Sequence, residues 1–323
     1  MIEDAREFQN EEPPPAEAVT TLPFPYNQQT FCRYEPIEKQ IDKVAVLVVD
    51  CLLRDEEDLS DVARTEWGAG AAVEIKRERR IATMAMENIV SNVERLVKSP
   101  NTHITALATI GLSARTFKPD AIVLSGTLRD FDYYNPAVLE TFGEFIRANK
   151  IPVLAICGGH QLVGLSFGAR VMTLDHLEQH EQRHNRPLEY QYRFIRITEP
   201  GDPIFRGISN PSSGLWQDYT KDARVLRVWQ NHGLQLDRVP EGFQLLATSY
   251  LCRNQMMVKR NDGQMIYTVQ FHLEKSFEDW NKSRTRWEHQ NESRDGRILF
   301  ENFLQLALGH KAPSDRSADI DKR

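Results

Sequence analysis

The chain has 323 residues, a formal net charge of −6 and 27% charged residues, and its length is sufficient for one large α/β domain with a substantial core. Because the charge is acidic and no long basic block occurs, nucleic acid is not an expected partner. No apolar run approaches the ~18 residues that a membrane span requires, so no membrane association is expected either.

The two ends of the chain differ in composition from the rest. Residues 1–40 contain the acidic, proline-containing stretch Glu11-Glu-Pro-Pro-Pro15, which predicts a flexible arm and is the opposite of a signal peptide. Residues 311–323 are polar and predict a disordered tail, which leaves 41–310 as the folded domain. The four cysteines are scattered along the chain: Cys32, Cys51, Cys157 and Cys252. Because their spacing does not fit a metal site, we expect a reducing, cytoplasmic compartment and neither a metal nor a cofactor.

Apolar runs alternate with helical patterns in the first half of the chain. The continuous apolar segment Lys43–Asp50 predicts a buried parallel strand. A helix is predicted from about Ile75 to Val97, because apolar residues recur there on one face. Further strands are predicted at His103–Ala108, Ala121–Ser125 and Pro152–Ile156, and a further helix from about Pro136 to Asn149. Such alternation predicts an α/β fold with a mostly parallel central sheet and helices on both faces.

The second half of the chain has shorter strands and predicts a smaller antiparallel portion of the sheet. These strands are predicted at Tyr192–Thr198, Ala223–Trp229, Phe243–Ser249, Gln255–Lys259 and Met265–Phe271. Three charged segments exceed what such a domain needs and are interpreted as insertions: 54–80, 175–190 and 275–295. Ligands of open α/β sheets bind outside the carboxyl ends of the strands, so we expect at least two insertions around the mouth of a site there.

The segment Ile151–Gln161 is typical of a nucleophile presented on a tight turn. An apolar run of strand length ends at Cys157, two glycines follow, and a helix is predicted from about Gly159 to Phe167. The glycines permit a sharp bend and leave room for a substrate, and the N-terminal amides of the helix favour an anion beside the sulfur. Taken alone, the segment also fits a buried cysteine that closes a core strand.

His272 and Glu274 favour the catalytic interpretation of Cys157. The apolar strand Met265–Phe271 runs directly into His272-Leu273-Glu274. Residues i and i+2 of an extended chain point the same way, so both side chains share one face. A histidine oriented by a carboxylate and placed near a cysteine is the arrangement of activated nucleophilic catalysis. We therefore predict a catalytic triad of Cys157, His272 and Glu274.

Five segments of the chain resemble the motifs of class I (triad-type) glutamine amidotransferases. The two signature motifs are Cys157-Gly-Gly-His-Gln161 and Gln270-Phe-His-Leu-Glu274. Three others are similar to family segments and follow in the expected order: Ala121-Ile-Val-Leu-Ser-Gly126, Gln230-Asn-His-Gly233 and Gly296-Arg-Ile-Leu-Phe-Glu-Asn-Phe-Leu304. The resemblance covers about residues 42–310 and implies the flavodoxin-like fold of that family. It also implies that Cys157 attacks the side-chain amide of glutamine and forms a γ-glutamyl thioester, with His272 as the proton carrier.

The resemblance implies roles for two further groups of residues. The oxyanion would be held by Gly158, Gly126 and Thr127, and the amino-acid end of the substrate by Gln161, Asn231 and Gly233. From their sequence positions alone, Gln161 also fits a helix-surface residue and Asn231 a turn former. The family usually has glycine at the position of Thr127, whose β-branched side chain disfavours a positive φ. We therefore expect this loop to differ in detail, as it does in relatives that cleave other γ-glutamyl bonds.

The sequence leaves several functions open. It contains neither a G-x-x-x-x-G-K-S/T phosphate loop nor the Ser-Gly-Gly-x-Asp-Ser run of adenylating synthetases, so the ammonia would pass to a separate ATP-dependent synthetase. A free-standing hydrolase of glutamine or another γ-glutamyl compound is the main alternative, and a regulatory binding protein is a third.

A zinc protease is a fourth alternative, because His180-Glu-Gln-Arg-His184 matches the pattern H-E-x-x-H and His176 precedes it by one helical turn. We interpret that segment as a solvated one, since Pro187 would end any helix just beyond it.

Overall fold

The computed structural model describes residues 38–208, 225–275 and 294–310. The predicted arm (apart from residues 38–40), the predicted tail and most of the predicted insertion 275–295 lie outside these residues. No helix in the described part of the chain is long and apolar enough to cross a membrane.

The described residues form eleven strands, nine of which belong to one central sheet. In chain order they are β1 (Ile41–Asp50), β2 (Val97–Ala106), β3 (Ala121–Leu124), β4 (Val153–Ile156), β5 (Val171–Thr173), β6 (Glu189–Ile197), β7 (Val225–His232), β8 (Leu234–Leu236), β9 (Gln244–Thr248), β10 (Met256–Lys259) and β11 (Ile266–Val269). The order across the central sheet is β2-β1-β3-β4-β11-β10-β9-β6-β7, while β5 and β8 pair separately. Pairs from β2 to β11 are parallel, and pairs from β11 to β7 are antiparallel. This confirms the α/β fold with a parallel first part and an antiparallel second part.

Helices cover both faces of the sheet, as predicted. Those described are α1 (Asp61–Trp67), α2 (Ala71–Leu96), α3 (Ile110–Phe117), α4 (Pro136–Ala148), α5 (Gly158–Ser166) and α6 (Arg294–Gly309). One core lies between the sheet and helices α2 and α6, with Ile89 and Phe303 fully buried in it. The other lies under α3, α4 and α5, with Phe142 and Leu162 buried in it. Burial of each such side chain contributes roughly 1.5–3 kcal/mol to folding.

The segment between β1 and β2 is more regular than the sequence indicated. The predicted insertion 54–80 contains α1 and the first turns of α2, which begins at Ala71 instead of Ile75. Ser60 starts α1 by accepting a hydrogen bond from the Ala63 amide at 3.2 Å, the usual role of serine at a helix N-cap. At the other end α2 stops at Leu96, and β2 begins at once with Val97, six residues before the strand predicted at His103.

The carboxyl ends of three neighbouring parallel strands, β3, β4 and β11, meet at one edge of the sheet. Leu124 of β3 lies opposite Ala155 of β4, and Ile156 of β4 lies opposite Val269 of β11. The segments that follow these strands therefore leave the sheet side by side. They carry Gly126, Cys157 and His272, and so the topology alone brings the predicted site residues together.

Candidate active site

Cys157 occupies a tight turn between β4 and α5. Its φ of 49° and ψ of −107° lie in a backbone region that residues other than glycine rarely adopt. The amide of Cys157 donates to the carbonyl of Val269 at 2.7 Å, which ties the turn to the neighbouring strand. The two glycines that follow are required by close packing: a Cβ at Gly158 would collide with the backbone of Thr127, and a Cβ at Gly159 would lie 2.8 Å from the Ser125 carbonyl oxygen.

His272 and Glu274 lie beside this turn, as the sequence predicted. The amide of His272 donates to the Trp229 carbonyl at 2.8 Å, and its Nδ1 lies 2.6 Å from Oε1 of Glu274. A Cβ built on Gly126 would lie 3.4 Å from Cε1 of His272 and 3.5 Å from Cβ of Cys157, so Gly126 lies beside both residues. The structure thus brings all three members of the predicted triad into one site.

The charges of the site couple the histidine to its two neighbours. Burial alone would lower the pKa of His272, but the charge of Glu274 and the hydrogen bond and charge interaction with the Cys157 side chain outweigh it and raise the pKa to about 10. Burial also opposes ionisation of Glu274, yet the adjacent His272 keeps the pKa of that carboxyl below its usual range. Because Nδ1 of His272 is directed at Glu274, Nε2 is the nitrogen that is free to exchange a proton with the sulfur.

Two backbone amides next to Cys157 could hold an oxyanion. The amide of Gly158 begins α5, and the site at which a Cβ of Gly158 would lie is occupied by Thr127, which places the two amides side by side. Thr127 has no positive φ, so its β-branched side chain causes no backbone strain in this loop. The loop thus accommodates threonine where the resemblance led us to expect glycine.

Gln161 is buried rather than on the helix surface, and its amide is held in one orientation. Its Nε2 donates to the carbonyl of Leu234 and to Oε1 of Gln270, each at 3.0 Å. Both N–H groups are then committed, which leaves Oε1 as an acceptor on a residue that lines the cleft. Gln270 in turn directs its Nε2 at the sulfur of Cys157 at 3.7 Å. Gln270 was not among the predicted site residues, although it lies two residues before His272 and so shares its face of the strand.

Asn231 and Gly233 line the same cleft, and the strand that was predicted to end at Trp229 extends past Asn231. Strand β7 continues through His232, because its ladder with β6 extends to the pair Tyr190–Asn231 and on to Glu189–His232. Gly233 follows directly, and a Cβ there would lie 2.7 Å from Cδ of Arg186.

The cleft around the triad has a volume of about 660 Å³, within the usual range for ligand sites. Its apolar wall is formed by Ile81, Met84 and Ala85 of α2, with Leu52 and Leu128 nearby. The predicted insertion 175–190 contributes residues from Arg183 to Leu188, and Lys275 is the one described residue of insertion 275–295 at the cleft. No residue of 54–80 lines it.

Two arginines fasten the segment 183–188 to the loop after β3. Arg186 forms a two-pronged salt bridge with the buried Asp130, at 2.9 and 2.7 Å. Arg183 contacts the same carboxylate at 3.1 Å and Asp132 at 2.6 Å. Planar guanidinium–carboxylate pairs of this kind fix geometry as well as charge. The sequence offered no signal for these pairs, since the partners are more than fifty positions apart.

The H-E-x-x-H segment does not have the geometry of a zinc protease. Gln179–Gln182 form a short 3₁₀ turn rather than an α-helix, and His176, His180 and His184 are all exposed. In the described part of the chain these histidines belong to no group that could hold a metal ion.

Comparison with known proteins identifies the family. The model of the family "Glutamine amidotransferase class-I" matches residues 84–289. The chain belongs to the class I glutamine amidotransferase family. Members of this family are enzymes, and the family match covers Cys157 and His272–Glu274.

Curated relatives of this amidotransferase include a subunit of the GMP synthase [glutamine-hydrolyzing] of Thermococcus kodakarensis, 33% identical over 161 residues that cover 50% of this chain and 69% of the relative. Another is the subunit of the same name from Thermoplasma volcanium, 27% identical over 192 residues, 59% of this chain and 73% of the relative. A solved structure, described as a putative GMP synthase subunit from Thermoplasma acidophilum, aligns with a TM-score of 0.49 and 22% identity, covering 87% of this chain and 98% of that one.

Proposed function

We propose that this chain hydrolyses the side-chain amide of glutamine at Cys157 and releases ammonia. The observation that supports this most directly is the position of Cys157 on its tight turn, beside a His272 that Glu274 orients at 2.6 Å. This arrangement activates a thiol for attack on an acyl carbon. Membership of the family indicates that this acyl carbon belongs to the γ-carboxamide of glutamine.

In the first step the sulfur of Cys157 attacks the carboxamide carbon while Nε2 of His272, whose pKa is raised to about 10, holds the proton that the thiol has given up. The amide oxygen becomes an oxyanion, which the N–H groups of Gly158 and Thr127 stabilise. Removal of one such donor costs about 3 kcal/mol of transition-state stabilisation. The C–N bond then breaks, and the departing ammonia receives its proton from His272.

In the second step water attacks the γ-glutamyl thioester. His272 accepts the proton of the water, the C–S bond breaks, and glutamate leaves while the thiol of Cys157 regains its proton. Throughout both steps Glu274 holds the imidazole in one tautomer and stabilises its charged form.

The amino-acid end of glutamine lies against Gln161, Asn231 and Gly233 in this proposal. The fixed acceptor Oε1 of Gln161 suits the α-ammonium group, because both N–H groups of that side chain are already used. Asn231 and Gly233 line the same cleft and offer side-chain amide and backbone N–H donors for the α-carboxylate.

We further propose that the ammonia is used by a separate ATP-dependent synthetase in the cytoplasm. The support is that curated relatives are named as subunits of a glutamine-hydrolysing GMP synthase. Hydrolysis of another γ-glutamyl amide is the second candidate. One observation favours it: the cleft is also lined by the apolar residues Ile81, Met84 and Ala85, which ammonia alone does not need.

The test is release of ammonia and glutamate from glutamine by the purified full chain, with a γ-glutamyl alkylamide as the competing substrate. We expect Cys157→Ala to lower turnover at least ~10³-fold, because members of a catalytic triad act as a unit. Cys51→Ala is the matched control. Cys51 is a buried thiol in the core under α3, α4 and α5, so this substitution should leave turnover unchanged. If Cys157→Ala keeps most of the activity, the proposed mechanism is wrong. Faster cleavage of the alkylamide than of glutamine would favour the second candidate.

A further inference from the structure

A buried histidine–glutamate pair lies directly behind the proposed substrate wall. His232 stands between Asn231 and Gly233, and Glu189 lies opposite it in the β6–β7 ladder. Nε2 of His232 is 3.0 Å from Oε2 of Glu189, and Nδ1 is 2.9 Å from the carbonyl oxygen of Leu234. Each of the two residues is only 6% exposed. The catalytic steps described above use neither residue.

The hydrogen-bond partners hold this pair in one orientation. A carbonyl oxygen can only accept, so Nδ1 of His232 carries a hydrogen and donates it to Leu234. Glu189 also accepts a hydrogen bond from Nε2 of Gln255 at 2.7 Å, and its other carboxyl oxygen lies 3.0 Å from the hydroxyl of Ser249. Both carboxyl oxygens of Glu189 and both ring nitrogens of His232 therefore have partners within the protein.

The pair is connected to the side chain that faces the substrate. The Leu234 carbonyl accepts from Nδ1 of His232 and also from Nε2 of Gln161 at 3.0 Å. That second bond is one of the two that leave Oε1 of Gln161 as the acceptor in the cleft. The orientation of Gln161 and the backbone from Asn231 to Leu234 are therefore fixed by one continuous buried network that ends at Glu189.

We propose that Glu189 is a positioning residue for the amino-acid end of the substrate and that it acts through its hydrogen bond to His232. This inference rests on the proposed function, because it assumes that Gln161 and Asn231 hold that end of glutamine. Glu189 touches neither the substrate nor Cys157. Its loss removes binding that is equal in the ground state and the transition state, so KM rises while kcat changes little.

The kinetic test is Glu189→Gln in the full chain, which keeps the shape of the side chain and removes its charge. We expect KM for glutamine to rise about 10-fold or more, the effect of losing one charge-assisted hydrogen bond, and kcat to stay within about 3-fold. Glu199→Gln, an exposed carboxyl just beyond β6, is the matched control and should change neither. A fall in kcat with unchanged KM would overturn the positioning role.

A binding test separates this inference from the proposed reaction. In the Cys157→Ala background, calorimetry should show that Glu189→Gln weakens glutamine binding by the same ~10-fold factor. An unchanged Kd, or no binding of glutamine in either variant, overturns the inference. If glutamine binds and Glu189→Gln weakens it while the wild type releases no ammonia, the positioning role stands and the proposed reaction falls.

Nitrogen-15 NMR of the wild type tests the hydrogen bond of His232 to Leu234 without any variant of Glu189. We expect Nδ1 to carry a hydrogen, with the ring signals assigned by their loss in His232→Gln. An Nδ1 without a hydrogen would overturn the inference. So would one equivalent of zinc that the purified wild type retains and Cys252→Ser loses, because Glu189, His232 and Cys252 offer ligand atoms within 4.8 Å of one another.

Discussion

Acid should destabilise this protein through His160, a buried histidine in the first turn of α5. Its side chain is fully buried, and Nδ1 forms a 2.7 Å hydrogen bond with the hydroxyl of Thr268 on β11. Burial, reinforced by the nearby charge of His232, lowers the pKa of His160 from 6.5 to about 3. The native state therefore holds this imidazole neutral at pH values where the unfolded chain protonates it.

The magnitude follows from the difference between the two states. A histidine in the unfolded chain has a pKa of about 6.5, so between pH 6.5 and about 3 the unfolded state binds one proton more than the native state. Stability is fully present above pH 6.5 and falls as the pH falls, by about 1.4 kcal/mol per pH unit. At pH 4.5 the loss that comes from this one residue should be about 3 kcal/mol.

Urea unfolding at pH 7.5 and pH 4.5 measures this loss when wild type and His160→Gln are compared. The variant should be less stable at pH 7.5, by about 1–3 kcal/mol, because it alters a buried hydrogen-bonded group. On acidification, however, it should lose about 3 kcal/mol less than the wild type does. The exposed His103→Gln serves as the control and should respond to acid as the wild type does. Equal losses in wild type and His160→Gln, within about 0.5 kcal/mol, would refute the reasoning.

Two further predictions concern the site and its rim. The raised pKa of His272, about 10, contributes stability that is fully present below pH 6.5 and is lost as the pH rises towards 10. The stability advantage of wild type over His272→Gln should therefore shrink by more than about 1 kcal/mol between pH 7 and pH 9.5 in urea unfolding, and a constant advantage would contradict the assigned pairing with Glu274. Asp130→Asn should lower the free energy of unfolding by about 3–5 kcal/mol, because it leaves Arg183 and Arg186 without their buried partner. Asp132 is partly exposed, so Asp132→Asn should lower it by about 1 kcal/mol or less. Equal losses for the two variants in urea unfolding would show that the burial of Asp130 does not account for its contribution.

The sequence predicted the centre of the sheet well because its signals there are local. Strands β1, β3 and β4 are the apolar runs that a buried parallel strand needs. The Cys-Gly-Gly turn is equally recognisable, because its residues are adjacent in the sequence. At the margins the signals conflict. The edge strand β2 contains Pro100, a residue that is rare in strands but tolerated at the edge of a sheet. Helix α3 was not predicted because Gly111, Ser113 and Thr116 are weak helix formers, and tertiary packing of Ile110 and Ala114 outweighs them.

The same distinction applies to the site. Cys157, His272 and Glu274 could be predicted because each stands at the end of a readable strand. Gln161 could be found as a position, but not its orientation, since that depends on Leu234 and Gln270 more than seventy residues away. The pair Glu189–His232 gave no signal at all, because neither the extra length of β7 nor its register with β6 is encoded within either segment alone.

The loop that carries Thr127 shows how a local departure can be supported from a distance. Where the resemblance led us to expect glycine, this chain has the β-branched Thr127, and the structure accommodates it without a positive φ. Three residues later Asp130 is buried and held by Arg186 and Arg183, both from the segment that the sequence marked as an insertion. The shape of the loop is therefore fixed by buried salt bridges instead of by the freedom of a glycine. Since one amide of the proposed oxyanion pair belongs to Thr127, loss of these bridges should displace that donor and lower kcat, although neither arginine contacts Cys157.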